Sequence, residues 1–254
     1  MRFLGKEYDG TGAVVAIVDS GVNANDPRLA GARIEGWSLA LSASGHASIG
    51  PDFTDQIGHG TDLAVAVHRI APGATILAVK IMGERLRAPS ELMGAGIETA
   101  SLRGAHVITL SIGTPNMNKA LRLRECCGQA MDRGSLVLAA THPNGDRIYP
   151  AELPETLAVA SHRECPTDKF FYFDPKRFPR KVWPSLADKF LAYGGAPDPE
   201  AGGKTPFRGT GIATAWLAGH VACLRQALPD LTAPELIDRL KTRALLPMPE
   251  LGYS

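Results

Sequence analysis

Short, β-rich apolar runs alternate with helical stretches along this chain, and that alternation constrains its fold more than any other feature. "AVVAIV" (13–18), "ATILAVKIM" (74–82), "HVITLSIG" (106–113), "SLVLAA" (135–140) and "TLAVAS" (156–161) read as buried strands. Near-continuous apolar runs of this length suit strands covered on both faces, as in a parallel sheet with helices above and below it. Residues 90–103 and 118–133 carry helical patterns, with Ser90 placed to cap the first and Gly104 and Gly134 placed to stop them. Thr232 and Glu235 form a capping box ahead of "ELIDRLKTR". The expected fold class is therefore α/β, a mostly parallel central sheet flanked by helices.

At 254 residues the chain can bury a full core, and no internal repeat divides it, so one domain over residues 1–254 is expected. Two stretches, 39–56 and 166–207, look irregular; the second is long for a loop and should hold short strands or hairpins of its own. A net charge of +1 gives no field that argues for nucleic acid or membrane as a partner. No apolar run reaches the roughly 18 residues that span a bilayer. The start, "MRFLGKEYDG", lacks the apolar segment of a secretory signal, which with Cys126, Cys127, Cys165 and Cys223 read as reduced thiols suggests a cytoplasmic protein. No Cys/His spacing suits zinc and the seven histidines are scattered, so no metal or cofactor is expected.

Three short motifs carry the chemistry. Asp19 follows the first strand directly in "VAIVDSG", at the end of a parallel strand where such sheets present functional groups. Either residue, read alone, has a bland alternative: Asp19 as a loop cap, His59 as a helix-entry residue. His59 stands between two glycines in "GHGTDLAVAV", with Thr61 placed to cap a helix from Asp62. "RGTGIATAWLAG" (208–219) is a glycine turn feeding a long helix of small and apolar residues. An acid, a base and a glycine-flanked turn at a helix start, in that order, resemble the subtilisin-like serine proteases. "DSGVNANDPRLAG", "RIAPGATILAVKIM" and "VITLSIGTPN" add to the resemblance, which runs over about residues 10–246. It implies a three-layer subtilisin-like fold.

The resemblance also implies roles. Asp19 would orient and stabilise His59, and His59 would be the general base. The oxyanion donor would be Asn144, in "VLAATHPNGD", although alignment without a gap puts His142 there. Ser111, Ile112 and Gly113 would pair with an extended peptide by strand addition, with Arg85, Leu86 and Arg87 on the opposite side. Calcium is common in the family, but no acidic loop here identifies a site.

The nucleophile's position is Gly211, which has no hydroxyl to activate. Thr210 lies one residue early and Thr214 a turn later, so neither replaces it in sequence. Two explanations remain: a pseudoprotease whose serine was lost naturally, or an active endopeptidase carrying an engineered Ser-to-Gly change. Departures around the site favour natural loss: Thr214-Ala215-Trp216 stands for the family's T-P-H segment, and Asp62 for the last residue of H-G-T-H. Retention of Asp19 and His59 counts for the other side. A pseudoprotease would use its groove to bind a peptide or a partner protease subunit. The bland alternative is a scaffold with an empty, non-binding groove.

Overall fold

In the computed structural model, which describes residues 2–3, 5–42, 45, 47–174, 176, 188–195, 197 and 207–244, the five apolar runs become five neighbouring parallel strands. Along the chain run β1 (Arg2–Phe3), β2 (Lys6–Glu7), β3 (Val14–Asp19), β4 (Arg33–Leu41), β5 (Ala47–Gly50), β6 (Thr75–Lys80), β7 (Val107–Leu110), β8 (Leu136–Ala140), β9 (Thr156–His162), β10 (Phe171–Tyr172) and β11 (Phe190–Tyr193). β1 and β2 pair only with each other, and the other nine form one sheet in the order β10-β11-β9-β8-β7-β3-β6-β4-β5. Within this nine-stranded sheet the two edge pairings, β10 with β11 and β4 with β5, are antiparallel and the rest parallel.

Among the described residues the α-helices of the fold are α1 (His59–Ile70), α2 (Ser90–Leu102), α3 (Met117–Asp132), α4 (Thr210–Ala227) and α5 (Ala233–Arg243). The strand pleat sorts side chains between two cores. Val15 and Ile17 of β3 pack with α1, α4 and α5, whereas Ala16 and Val18 pack with α2 and α3. Fully buried Ile17 and Leu63 contribute about 2 kcal/mol each by leaving water. The result is three layers, helix on sheet on helix.

Strand order positions the site. From β3 the chain runs to β4 and β5 at one edge, returns to place β6 between β3 and β4, then builds outward through β7, β8 and β9 on the other side. The carboxyl ends of β3 and β7 therefore flank the point where the winding reverses, where an open α/β sheet leaves a crevice.

Several local expectations need correction. Residues 39–56 are not wholly irregular: β4 ends at Leu41 and β5 spans Ala47–Gly50. Ser90 is the first residue of α2, and its cap is Pro89. Thr61 lies inside α1, which is entered through Gly58. Within 166–207, β10 and β11 form the antiparallel pair that the length of the stretch suggested; residues 177–187 and 198–206 lie outside the described residues. The capping box at Thr232 and Glu235 is present. All four cysteines are buried and unpaired.

Candidate active site

The pleat that points Ile17 toward α1 and α4 points Asp19, two residues on, to the same side. Asp19 is fully buried at the end of β3. Its Oδ1 accepts from His59 Nδ1 at 2.7 Å and from the Ser20 N–H at 2.8 Å, and its Oδ2 accepts from the Ser111 hydroxyl. A carboxylate only accepts, so Nδ1 of His59 carries the proton and Nε2 is left facing the cleft.

His59 begins α1, and two devices hold that helix end in place. Gly58, in the left-handed region at φ 96°, turns the chain into the helix. Asp55 then accepts from the N–H groups of Ile57, Gly58 and Thr61, and from the Thr61 hydroxyl. At Gly60 the backbone passes so close to β3's exit that a Cβ would come within 2.1 Å of the Gly21 carbonyl oxygen. The Gly60 N–H donates to Ser20 Oγ at 2.9 Å, which ties α1 to the Asp19 loop. Phe207 meets the His59 ring edge-on, with centroids 4.9 Å apart.

Burial opposes charge on both members of the pair, and their mutual attraction outweighs it. Desolvation would raise the Asp19 pKa, but the His59 charge and the hydrogen bonds from His59, Ser111 and Ser20 hold it below the ordinary carboxylate value. Desolvation would lower the His59 pKa, but the Asp19 carboxylate, with smaller help from Asp55 and Asp62, holds it above the ordinary imidazole value.

Gly211 is the second residue of α4, which is entered through Gly209 at φ 108°. A Cβ built at Gly211 would lie 3.5 Å from His59 Nε2 and 3.0 Å from Ser111 Cβ. The structure thus brings Asp19, His59 and Gly211 together, with Nε2 directed at a position that carries no side chain. Thr214 donates its hydroxyl to the Thr210 carbonyl at 2.7 Å, so that group is spent within the helix. Thr210 lines the cleft, but among the described residues its hydroxyl has no contact with His59.

The cleft in front of Gly211 has a volume of about 640 Å³. Ser111, Ile112 and Gly113 continue β7 along one wall, past its last paired residue, Leu110. Leu86 and Arg87 line the cleft as well, whereas Arg85 does not. The two oxyanion candidates lie differently. Asn144 lies outside this cleft and borders a neighbouring pocket, while His142 faces the cleft. A turn follows β8: the Gly145 N–H donates to the His142 carbonyl at 3.0 Å, and Pro143 still lines the cleft while Asn144 and Gly145 border the neighbouring pocket. His142 Nδ1 is 3.1 Å from Asp146 Oδ2, leaving Nε2 as its other polar atom.

Other contributors were not visible in the motifs. Asp55 anchors α1 through a loop, and Ser111 supports Asp19 through its side chain as well as lining the cleft. Asp62 accepts from Arg28 at 2.8 Å, and Asp26 also pairs with Arg28, so the departure at position 62 has a structural role. Arg208 is a further cleft residue that the sequence reading passed over.

A sequence model described as the subtilase family, peptidase S8, matches residues 10–252. Thermitase from Thermoactinomyces vulgaris is 33% identical over 167 residues, which is 60% of this chain and 56% of thermitase, so the match spans little more than half of that relative. Subtilisin BL from Lederbergia lenta is 27% identical over 257 residues, covering 92% of this chain and 84% of its own. A solved cold adapted subtilisin-like serine proteinase shares the fold with a TM-score of 0.68 at 21% identity, over 93% of this chain and 83% of that one. With an acid, an imidazole and a helix-start position converging at the switch point of this sheet, the chain belongs to the subtilase family of subtilisin-like serine proteases.

Proposed function

We propose that this chain is a pseudoprotease, a subtilase that binds a peptide, or a partner protease, through its cleft without cleaving it. The observation that carries this reading is the emptiness at Gly211, where a Cβ would stand 3.5 Å from His59 Nε2. His59 can accept a proton there, but residue 211 has none to give and no oxygen to attack a carbonyl. Acyl transfer by the family's route therefore stops before its first covalent step.

The other parts of the site suit peptide binding. Residues 111–113 offer an edge to an incoming strand, and Leu86 and Arg87 also line the cleft. His142 lines the cleft, with its Nδ1 beside Asp146 and the Asn144 N–H and its Nε2 as its other polar atom.

A second reading is an active endopeptidase carrying a Ser-to-Gly change at 211. The intact Asp19–His59 contact at 2.7 Å favours it. The two readings agree for the chain as it stands: binding without turnover. Titrating the chain with extended peptides by calorimetry, and following the same mixtures for cleavage products by mass spectrometry, tests both. Saturable binding with intact peptides is expected. Cleavage by the unaltered chain, or no binding by any peptide, would overturn the proposal.

A further inference from the structure

The cleft is more cationic than the chain. Lys plus Arg outnumber Asp plus Glu by only 27 to 26 overall. Yet Arg87 and Arg208 line this cleft together, while each of its imidazoles already faces a carboxylate, His59 facing Asp19 and His142 facing Asp146. Among the described residues neither Arg87 nor Arg208 pairs with a carboxylate. The surplus is thus concentrated by placement, and it surrounds the position where a side chain is missing.

The start of α4 adds to it. The first helical hydrogen bond runs from the Ala213 N–H to the Gly209 carbonyl, so the N–H groups of Thr210, Gly211 and Ile212 precede the helical ladder at the positive end of an 18-residue helix. Gly211 also leaves open the volume that a side chain would fill in front of His59 Nε2. A neutral amide passing through such a site would leave this positive charge unanswered. A carboxylate would answer it, and two oxygens on one carbon suit donors on two sides.

We propose that the cleft is a receptor for free peptide C-termini: a peptide extended along residues 111–113 ends at Gly211, with its terminal carboxylate between His59 and His142 and beside Arg208. This rests on the peptide-binding reading above and names its ligand class. The reaction that supplies such ligands is peptide bond hydrolysis, so the ligand is the product of an endoprotease rather than its substrate. Loss of the nucleophile then has a use, because the space it vacates is where the second carboxylate oxygen goes.

The test uses the full chain and a randomised hexapeptide library lacking Asp and Glu, prepared once with free C-terminal carboxylates and once as C-terminal amides. NMR titration follows the His59 ring signals. The free-acid library is expected to saturate the shift at a concentration at least about tenfold lower than the amide library, the worth of one charge-assisted hydrogen bond. Arg208→Ala, which removes an exposed side chain with no ion-pair partner among the described residues, should narrow the difference between acid and amide. Equal binding of acid and amide would overturn the carboxylate proposal while leaving peptide binding in place. No shift with either library would overturn both.

Discussion

Replacing Asp19 with Asn removes one charge from the site and little else, which makes its cost calculable. The Asn carbonyl can stand where Oδ1 does and still accept from His59 Nδ1 and the Ser20 N–H. Its amide then faces Ser111, whose hydroxyl can turn to accept. Each of the two retained bonds falls from charge-assisted to neutral, a loss of roughly 1.5 kcal/mol apiece, or about 3 kcal/mol together. For a chain of this size that lowers the melting temperature by roughly 6 to 12 °C. The loss depends on pH with a definite sign. Asp19 is depressed, so its stabilisation is present above the unfolded carboxylate pKa and lost as pH falls through the folded one. His59 is raised, so its stabilisation is full below the unfolded imidazole pKa and lost as pH rises through the folded one. Both charges coexist only between those limits. Calorimetric melts of the chain and Asp19→Asn should therefore differ most near about pH 5.5 and differ less well above the raised His59 pKa. An equal gap at both pH values, or no gap near pH 5.5, would refute the assignment of a charged, buried pair.

Gly60→Ala should destabilise the fold by about 3 kcal/mol in urea unfolding, because its Cβ would come within 2.1 Å of the Gly21 carbonyl oxygen and α1 would have to retreat. Urea unfolding of wild-type stability would show that the approach of α1 to β3 is looser than described. Asn116→Ala should cost about 1 kcal/mol, since Asn116 Oδ1 accepts from the Asn118 N–H at the start of α3. The urea midpoint should fall with an unchanged slope.

The central strands were legible because they are covered on both faces and must be apolar at every position, as in "AVVAIV". β4, "RIEGWSLAL", escaped notice because most of its residues are partly exposed, so its pattern is mixed. Asp19, His59 and the 208–219 turn were readable as short motifs in a fixed order, and parallel topology brings the ends of β3, α1 and α4 together. What tethers them was not readable: Asp55 reaches α1 through a turn that no single residue signals. Which of Asn144 and His142 borders the cleft depended on where the chain leaves the sheet. The 142–145 turn decides that, and "THPNGD" is compatible with either outcome. Arg85 and Arg87 look equivalent in sequence, yet only Arg87 faces the cleft.

If His59 is a working base that faces an empty nucleophile position, fluorophosphonate labelling of Gly211→Ser will reveal it. The new Cβ would lie 3.5 Å from His59 Nε2, with Ser111 Cβ, at 3.0 Å, yielding by a few tenths of an ångström. In subtilisin, removing the serine costs about 10⁶-fold in turnover, so restoring a hydroxyl here should be unmistakable. Above the raised His59 pKa, intact-mass measurement should find the unaltered chain unmodified. Gly211→Ser should gain one adduct, at the substituted position, and lose it when His59→Ala is added. Labelling of the unaltered chain on one of its own hydroxyls, or a folded Gly211→Ser that stays unlabelled, would contradict the claim.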